Sequence, residues 1–403
     1  MSIKPTHSQY YKQSLLIGAA IGLGIGISFA TGFFIRGFVG TNILQASAND
    51  YVYPLLVEVQ TLLDRSYLRE QPSPKEREYA AIRGMLNLLE DRYTFFIDPP
   101  VARSESDVLA GTYGGIGVQL QRSENGDLII YPFDDSPARQ LGVEDGDVLL
   151  SVNDVPLNIN IQSDALDQML RGEVKEGSGV SITIKKYNTD EVRSLFIPFA
   201  VINVPSVTWR LLDNNPEIGY IRISLFTSRT PSEINEALLS LKEQEVLALV
   251  LDLRNNGGGL LQESIEVASR FLDGGIIVYE KTFFEERALN AIQDGLPTVD
   301  LPLIVLVNQN TASAAELVAG AIRDRNRGIL IGQRTYGKGT VQQIFRLQDE
   351  SSLHVTSAEW LTPTKEHIDG EGLTPNIEMI PDPDGRDVEL GEAIRYLTSK
   401  LPQ

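Results

Sequence analysis

Four regimes of hydrophobic patterning follow one another along the chain. Residues 14–35, SLLIGAAIGLGIGISFATGFFI, carry no charge, and their length matches the roughly 20 residues a helix needs to cross a bilayer. From 49 to 105 apolar positions recur at helical spacing: Tyr53, Leu56, Val57, Val59, Leu62 and Leu63, then Ala80, Ala81, Met85, Leu86 and Leu89. The Pro99-Pro100 pair is expected to end this helical region. Residues 108–198 switch to short β-rich runs (IGVQLQ, DLIIYPF, DVLLSVN, GVSITIKKY, RSLFIPF) between Gly, Asp and Asn turns, with one helical piece from 164 to 170. From 218 to 380 strand-like IGYIRIS, VLALVLDL, LPLIVLV and RGILIG alternate with helix-like PSEINEALLSLKEQ, a segment through 263–272, and AAELVAGAIRD. That alternation predicts a sheet covered by helices.

The uncharged segment changes the picture of where the chain works. Lys4 and Lys12 precede it and Arg36 follows it, so the positive-inside tendency keeps the N-terminus cytoplasmic and exports the rest. A cleaved signal peptide is the competing reading. Its apolar region usually runs 7–15 residues, shorter than this one, and the small-residue site Ala46-Ser47-Ala48 lies well beyond the apolar run. The expectation is an uncleaved anchor.

Composition removes several chemistries. The formal net charge of −19 over 403 residues argues against nucleic acid as a partner, because phosphate binding needs a surplus of Lys and Arg. The chain has no cysteine, which excludes thiol catalysis, disulfides and Cys-ligated zinc. Its histidines are His7, His354 and His367. None sits in a recognisable catalytic setting.

In open α/β sheets active groups gather at the carboxyl ends of the strands. Two loops occupy that position. Asn255-Asn256-Gly257-Gly258-Gly259 follows VLALVLDLR. Three glycines exceed what a turn needs and suit a backbone that must approach something closely. Asn308 to Ser313 follows LPLIVLV and leads into AAELVAGAIRD. Thr311 or Ser313 there reads as an N-cap, but a helix start also offers free N–H groups to an oxyanion, with Ala314 as the donor beside a nucleophilic Ser313.

The stretch GQRTYGKGT, Gly332 to Thr340, nearly spells a phosphate-binding loop. Gly339 stands where the motif needs Ser or Thr, and β-branched, alternating TVQQIFRLQ follows where a helix should. A serine nucleophile needs a base. A buried lysine whose pKa is lowered can serve, and Lys338, flanked by Gly337 and Gly339, is placed to be one, with Gln342 to orient its amine. A penicillin-binding reading fails, since no Lys stands three residues after Ser313.

TASAAELVAGAIRD followed by GQRTYGKGTVQ resembles the carboxyl-terminal processing proteases, the S41 family of serine peptidases. DLRNNGGGLL, SAEWLTPTKEHIDGEGLTPNIEM, YGGIGVQL and DDSPARQLGVEDGDVLLSVNDVPL extend the resemblance over nearly all of the chain after the anchor. The resemblance implies Ser313 as nucleophile and Lys338, 25 residues on, as general base. It implies Gln342 as support and the N–H groups of Gly259 and Ala314 as oxyanion hole, with Gly258 the alternative glycine. It implies a PDZ domain whose carboxylate-binding loop is Gly115-Ile116-Gly117-Val118, with Arg171 as a candidate coupling residue. Ala315 and Asn376 depart from the family's usual Ser and Asp.

The expectation is thus a multidomain α+β protein. It comprises a cytoplasmic tail (1–13), a transmembrane helix (14–37), a helical segment (38–105), a β-rich PDZ domain (106–200), an α/β protease core of layered ClpP/crotonase-like type (201–382) and a helical tail (383–403). The expected activity is extracytoplasmic, periplasmic or extracellular, endopeptidase cleavage near free C-termini of protein or peptide substrates. No metal or cofactor is implied. A homo-oligomer or an adaptor partner remains open, and the alternative function is a catalytically silent PDZ adaptor on the membrane surface.

Overall fold

The structure, a computed structural model, describes residues 53–401 apart from 124, 158–160, 162–165, 167 and 293–299. The apolar segment 14–35 lies outside the described residues, among which no helix is long and apolar enough to cross a membrane. Contacts divide the chain into two units at Tyr79. In the first, helix α1 (Pro54–Ser66) opens on a proline, as does α2 (Pro74–Asn87), which begins there and runs on past the division. Ser73 and Glu76 cap α2 reciprocally, Glu76 N–H donating to Ser73 Oγ (3.2 Å) and Ser73 N–H to the Glu76 carboxylate (2.7 Å). Arg77 reaches back to Asp64 (2.8 Å) and ties α2 to α1.

In the second unit the Pro99-Pro100 pair opens a helix instead of ending one. After the short strand β1 (Phe95–Ile97), α3 (Pro99–Ala110) starts on the prolines behind Asp98. Proline lacks only an N–H that the first turn leaves unbonded, and its φ is already helical. The expected boundary between 105 and 106 therefore falls inside α3. The helix stops at Gly111, which takes φ 72, a left-handed C-cap that glycine adopts without a Cβ penalty.

A β-rich module follows. It is entered by β2 (Thr112–Gly115), and its sheet runs β3 (Val118–Arg122), β4 (Leu128–Pro132), β5 (Asp147–Val152), β7 (Gly179–Lys185), β8 (Val192–Pro198), all antiparallel, with β6 (Val155–Pro156) on β5. The short α4 (Pro137–Gln140) lies between β4 and β5. Val180, Ile182 and Ile184 alternate inward with Ile130, Val152 and Ile197 to form its core, the period-2 burial expected of a half-covered sheet. Of the helical piece expected at 164–170, Leu166, Gln168 and Met169 are described and helical. The module closes at a neck. β9 (Ala200–Asn203) pairs antiparallel with β2, and Val204 N–H donates to Gly111 O (2.9 Å).

The rest is layered. One sheet runs β10 (Val207–Leu212), β11 (Asn215–Ile223), β12 (Ala248–Asp252), β15 (Leu303–Val307), β16 (Ile329–Gly332), β19 (Ile377–Glu378), parallel from β11 onward. Every residue of β12 and β15 is buried, which is why both read as unbroken apolar runs. Leu249, Leu251, Val305 and Val307 face one side, in the cluster with α5 (Thr230–Glu243), α6 (Leu261–Ala268) and α7 (Ala314–Asp324). Ala248, Val250, Ile304 and Leu306 face the other, against α8 (Val388–Thr398). An antiparallel sheet, β1, β18 (Ser352–Leu361), β13 (Ile276–Thr282), β14 (Glu286–Asn290), with β17 (Thr340–Arg346) also on β18, adds Ile277, Val278 and Trp360 to the first cluster. TVQQIFR is thus a strand, as its alternation predicts.

Candidate active site

The two loops anticipated at strand ends meet. Thr311 is not the N-cap. Its Oγ1 donates to Leu253 O and accepts from Asn308 N–H, both at 2.9 Å, stapling the β15 loop to the end of β12. Asn255 takes φ 59 and its Oδ1 accepts from the Nδ2 groups of Asn308 and Asn310, each at 2.9 Å. Asn256 is fully buried. Its Nδ2 donates to Ile223 O, its Oδ1 accepts from Gly258 N–H and its carbonyl accepts from Ala312 N–H, all at 2.9 Å. Three strand ends are thereby locked together.

Ser313 heads α7, but not with an N-cap's usual extended backbone. It sits at φ 56, ψ −121, a region that a non-glycine residue occupies only under strain held by its surroundings. The holding group is Glu316. Glu316 is fully buried, and its carboxylate accepts four hydrogen bonds. Ser313 N–H (2.9 Å) and Lys338 N–H (2.9 Å) reach one oxygen, while Thr335 Oγ1 (2.5 Å) and Gly337 N–H (2.8 Å) reach the other. Burial pushes this carboxyl above the ordinary glutamate range, opposed by those four donors. One side chain thus fixes the backbones of both Ser313 and Lys338.

Lys338 is half-buried, and burial lowers its amine below the ordinary lysine value, with the Glu105 carboxylate acting in the opposite sense. Its Nζ lies 5.2 Å from the centroid of the Tyr93 ring and makes no hydrogen bond among the described residues. The expected partnership with Gln342 is not formed. Gln342 Nε2 donates to Thr340 Oγ1 (2.9 Å), beside a register shift between Val341 and Gln342 where β17 pairs with β18.

Ser313, Ala314, Gly257, Gly259, Lys338 and Gln342 line one cavity of about 360 Å³. Its walls are largely apolar, from Leu225, Leu261, Leu317, Ile344 and Trp360, and α3 supplies Glu105, Val108 and Leu109. Among the described residues the N–H groups of Gly259 and Ala314 have no hydrogen-bond partner. Gly258 does not share that freedom, since its N–H is used by Asn256. Gly259 takes φ 124, and a Cβ on it would lie 2.1 Å from Phe226 O, so the close approach, not flexibility, explains the glycine. Phe226 N–H donates to Gly258 O and Leu260 N–H to Phe226 O, both at 2.8 Å.

The loop expected to hold a carboxylate is partly engaged by its own chain. Gly115 bridges Arg171, Ile116 N–H donates to Leu170 O (3.3 Å) and Gly172 N–H to Gly114 O (3.0 Å). Gly117, at φ 72, keeps an N–H with no partner among the described residues. Val118 begins β3. The Arg171 guanidinium lies 4.3 Å over the Tyr113 ring, which attaches it to the strand leading into this loop. Of the two departures, Ala315 is fully buried, and Asn376 Oδ1 accepts from Leu330 N–H (2.8 Å) without lining the cavity.

Three contributors escape sequence reasoning. Glu316 was visible as Ser-x-x-Glu at a helix start, a capping-box signature. Asn256 carried no signal beyond its place in the loop. Glu105 lies 208 residues before Ser313 and reaches the cavity through tertiary packing alone.

Comparisons with known proteins agree with this architecture. A profile of peptidase family S41 matches residues 217–379. A carboxyl-terminal-processing protease from a Picosynechococcus species is 37% identical over 326 residues, covering 79% of this chain and 77% of that protein. A carboxy-terminal-processing protease from Bartonella bacilliformis is 31% identical over 380 residues, covering 91% and 86%. Among solved structures, an S41 protease from Bacteroides fragilis aligns with a TM-score of 0.51 at 16% identity, over 84% of this chain and 93% of that one, a likeness of fold. Fold and relatives together define a serine-type peptidase. The chain belongs to peptidase family S41, among its carboxyl-terminal-processing members.

Proposed function

We propose that this peptidase is a membrane-anchored, extracytoplasmic endopeptidase that cleaves near the C-termini of proteins by a Ser–Lys acyl-enzyme mechanism. Ser313 Oγ attacks the peptide carbonyl, and the Lys338 amine, neutral when it acts, takes its proton. The N–H groups of Gly259 and Ala314 receive the oxyanion, an interaction that contributes about 3–4 kcal/mol to transition-state stabilisation. The leaving amine takes the proton from Lys338, and water then hydrolyses the ester. Gln342 is assigned to hold the amine when Lys338 turns toward Ser313. The observation that carries this reading is the one cavity bringing together Ser313, a lysine whose amine burial depresses, and two N–H groups without a partner among the described residues.

The β-rich module is read as a PDZ domain that takes substrate tails as an added strand, with the terminal carboxylate at Gly117 and Val118 beside Gly115 and Ile116. Arg171, on Tyr113, is read as the coupling residue. The segment 14–37 is read as the anchor, with the N-terminus cytoplasmic. The test is cleavage of an unstructured peptide with a free apolar C-terminus by the full chain and its Ser313→Ala and Lys338→Ala forms. Both variants are expected to lose cleavage while keeping the parent's unfolding temperature. Cleavage that survives Lys338→Ala assigns the base elsewhere.

A further inference from the structure

Helix α3 lies outside the segment that matches the family profile, yet it reaches the candidate active site. Its Glu105 carboxylate lines the same cavity as Ser313, Lys338 and Gln342, and is the acidic side chain that does so among the described residues. His354, from β18, fixes it there. A carboxylate only accepts, so His354 Nε2–H donates to Glu105 Oε2 (2.9 Å). The imidazole is itself immobilised, buried and stacked on Phe95 at 4.5 Å and 16°. Arg103, two residues earlier, reaches Glu350 at the β17–β18 turn (2.6 Å) and Glu173 in the β-rich module (3.5 Å).

The other end of α3 meets the neck of that module. Ser228 N–H donates to Leu109 O and Ser228 Oγ to Ala110 O, both at 3.0 Å, and Val204 N–H to Gly111 O. The last turn of α3 is thus held both by the neck, through Val204, and by the loop after β11, through Ser228.

We propose that Glu105 is a positioning residue for the base: its carboxylate, fixed in the cavity by His354, restrains Lys338 as an ammonium ion, and withdrawal of α3 frees the amine to act on Ser313. The proposal rests on the Ser–Lys reading above. Other groups around Lys338 do not substitute for Glu105. Tyr93 presents its ring to the amine, with Arg92 stacked at 4.6 Å on that ring and 5.9 Å from the Tyr336 ring. Glu316 is saturated by its four donors, and His354 is committed to Glu105.

The signs follow directly. A facing carboxylate favours the ammonium, and burial favours the neutral amine. Removing the carboxylate leaves burial unopposed, so the proton is given up to water at lower pH. The test is the pH dependence of kcat/KM for peptide cleavage by the full chain, with Glu105→Gln and Glu105→Asp beside the parent. Glu105→Gln is expected to move the acid limb to lower pH, because the carboxylate that opposes the effect of burial on Lys338 is gone. Cleavage at a pH below the parent's limb is therefore expected to be faster than the parent's. Glu105→Asp is expected to keep the limb near the parent's position. An acid limb that stays put or rises overturns the proposal, as does a uniform loss of rate at every pH, which marks a packing role only. If Lys338→Ala still cleaves, the Ser–Lys reading itself has failed. If Lys338 is essential but Glu105→Gln leaves the limb unmoved, only the present inference has failed.

Discussion

Replacing Glu316 with glutamine tests whether one buried carboxylate holds the backbones of both Ser313 and Lys338. The isosteric amide removes one acceptor whichever way it faces. With its oxygen toward Ser313 and Lys338, its NH₂ confronts Gly337 N–H and Thr335, whose Oγ1 already accepts from Leu373 N–H at 2.6 Å. Turned the other way, it confronts two backbone N–H groups that have no alternative. The first orientation orphans one buried N–H, at about 1–3 kcal/mol. The bonds that survive lose their charge assistance, roughly half their strength. Relief of the desolvation that pushes the carboxyl up works in the opposite direction. The net expectation is about 2–4 kcal/mol of destabilisation, or about 5–15 °C in Tm for a domain of this size. Activity is expected to fall further than folding, because about 1 Å of misplacement at a reacting group costs on the order of 10²-fold. Thermal unfolding and peptide-cleavage kcat/KM, measured where the variant is still folded, report the two effects separately. A Tm within about 2 °C and a kcat/KM within about threefold of the parent would refute the clamp.

The glycine loop and an acidic site give two further predictions. Gly259→Ala places a Cβ 2.1 Å from Phe226 O at φ 124, whereas Gly257→Ala meets nothing within 4 Å. The first is expected to abolish cleavage and cost about 2–4 kcal/mol, the second to leave unfolding unchanged, and equal effects in thermal melts would contradict the geometry. Burial raises the Asp324 carboxyl, but the Thr362 and Thr364 hydroxyls and Arg323 outweigh it and hold the group below the ordinary aspartate range. Its contribution to stability is therefore present above about pH 3.9 and lost as pH falls through the folded value. Asp324→Asn should be less stable than the parent at neutral pH and converge with it in strong acid, and urea titrations that stay parallel at both pH values contradict that linkage.

Strands buried on both faces and helices with one apolar stripe were legible because their patterns have fixed periods. β12, β15 and α7 stand where VLALVLDL, LPLIVLV and AAELVAGAIRD place them. The two loops of the site followed from the same reading, since they lie where strands end. Pro99-Pro100 misled because proline both ends and opens helices, and only the residues after it decide which. The hairpin of β13 and β14 was missed because β14 is the edge strand of its sheet and neither strand shows a clean alternation. The engagement of Gln342 by Thr340 depends on a register shift that no local pattern announces. Ser313's strained backbone could not be read at all, because it is imposed by Glu316 and by Gly258, whose missing Cβ makes room for the serine.

The paired neck at Gly111 and Val204 has a bearing on how such a chain is assembled. Its entrance and exit strands are hydrogen-bonded neighbours, so everything between them is an excursion that returns to its starting point. A polymer loop whose ends are already joined adds little closure entropy to the body from which it departs. The body beneath can therefore keep its own topology while the excursion is lengthened, shortened or exchanged for another whose ends fit the same two strands. In that sense the neck is a socket, and the β-rich module and the layered body are separable inheritances on one continuous chain.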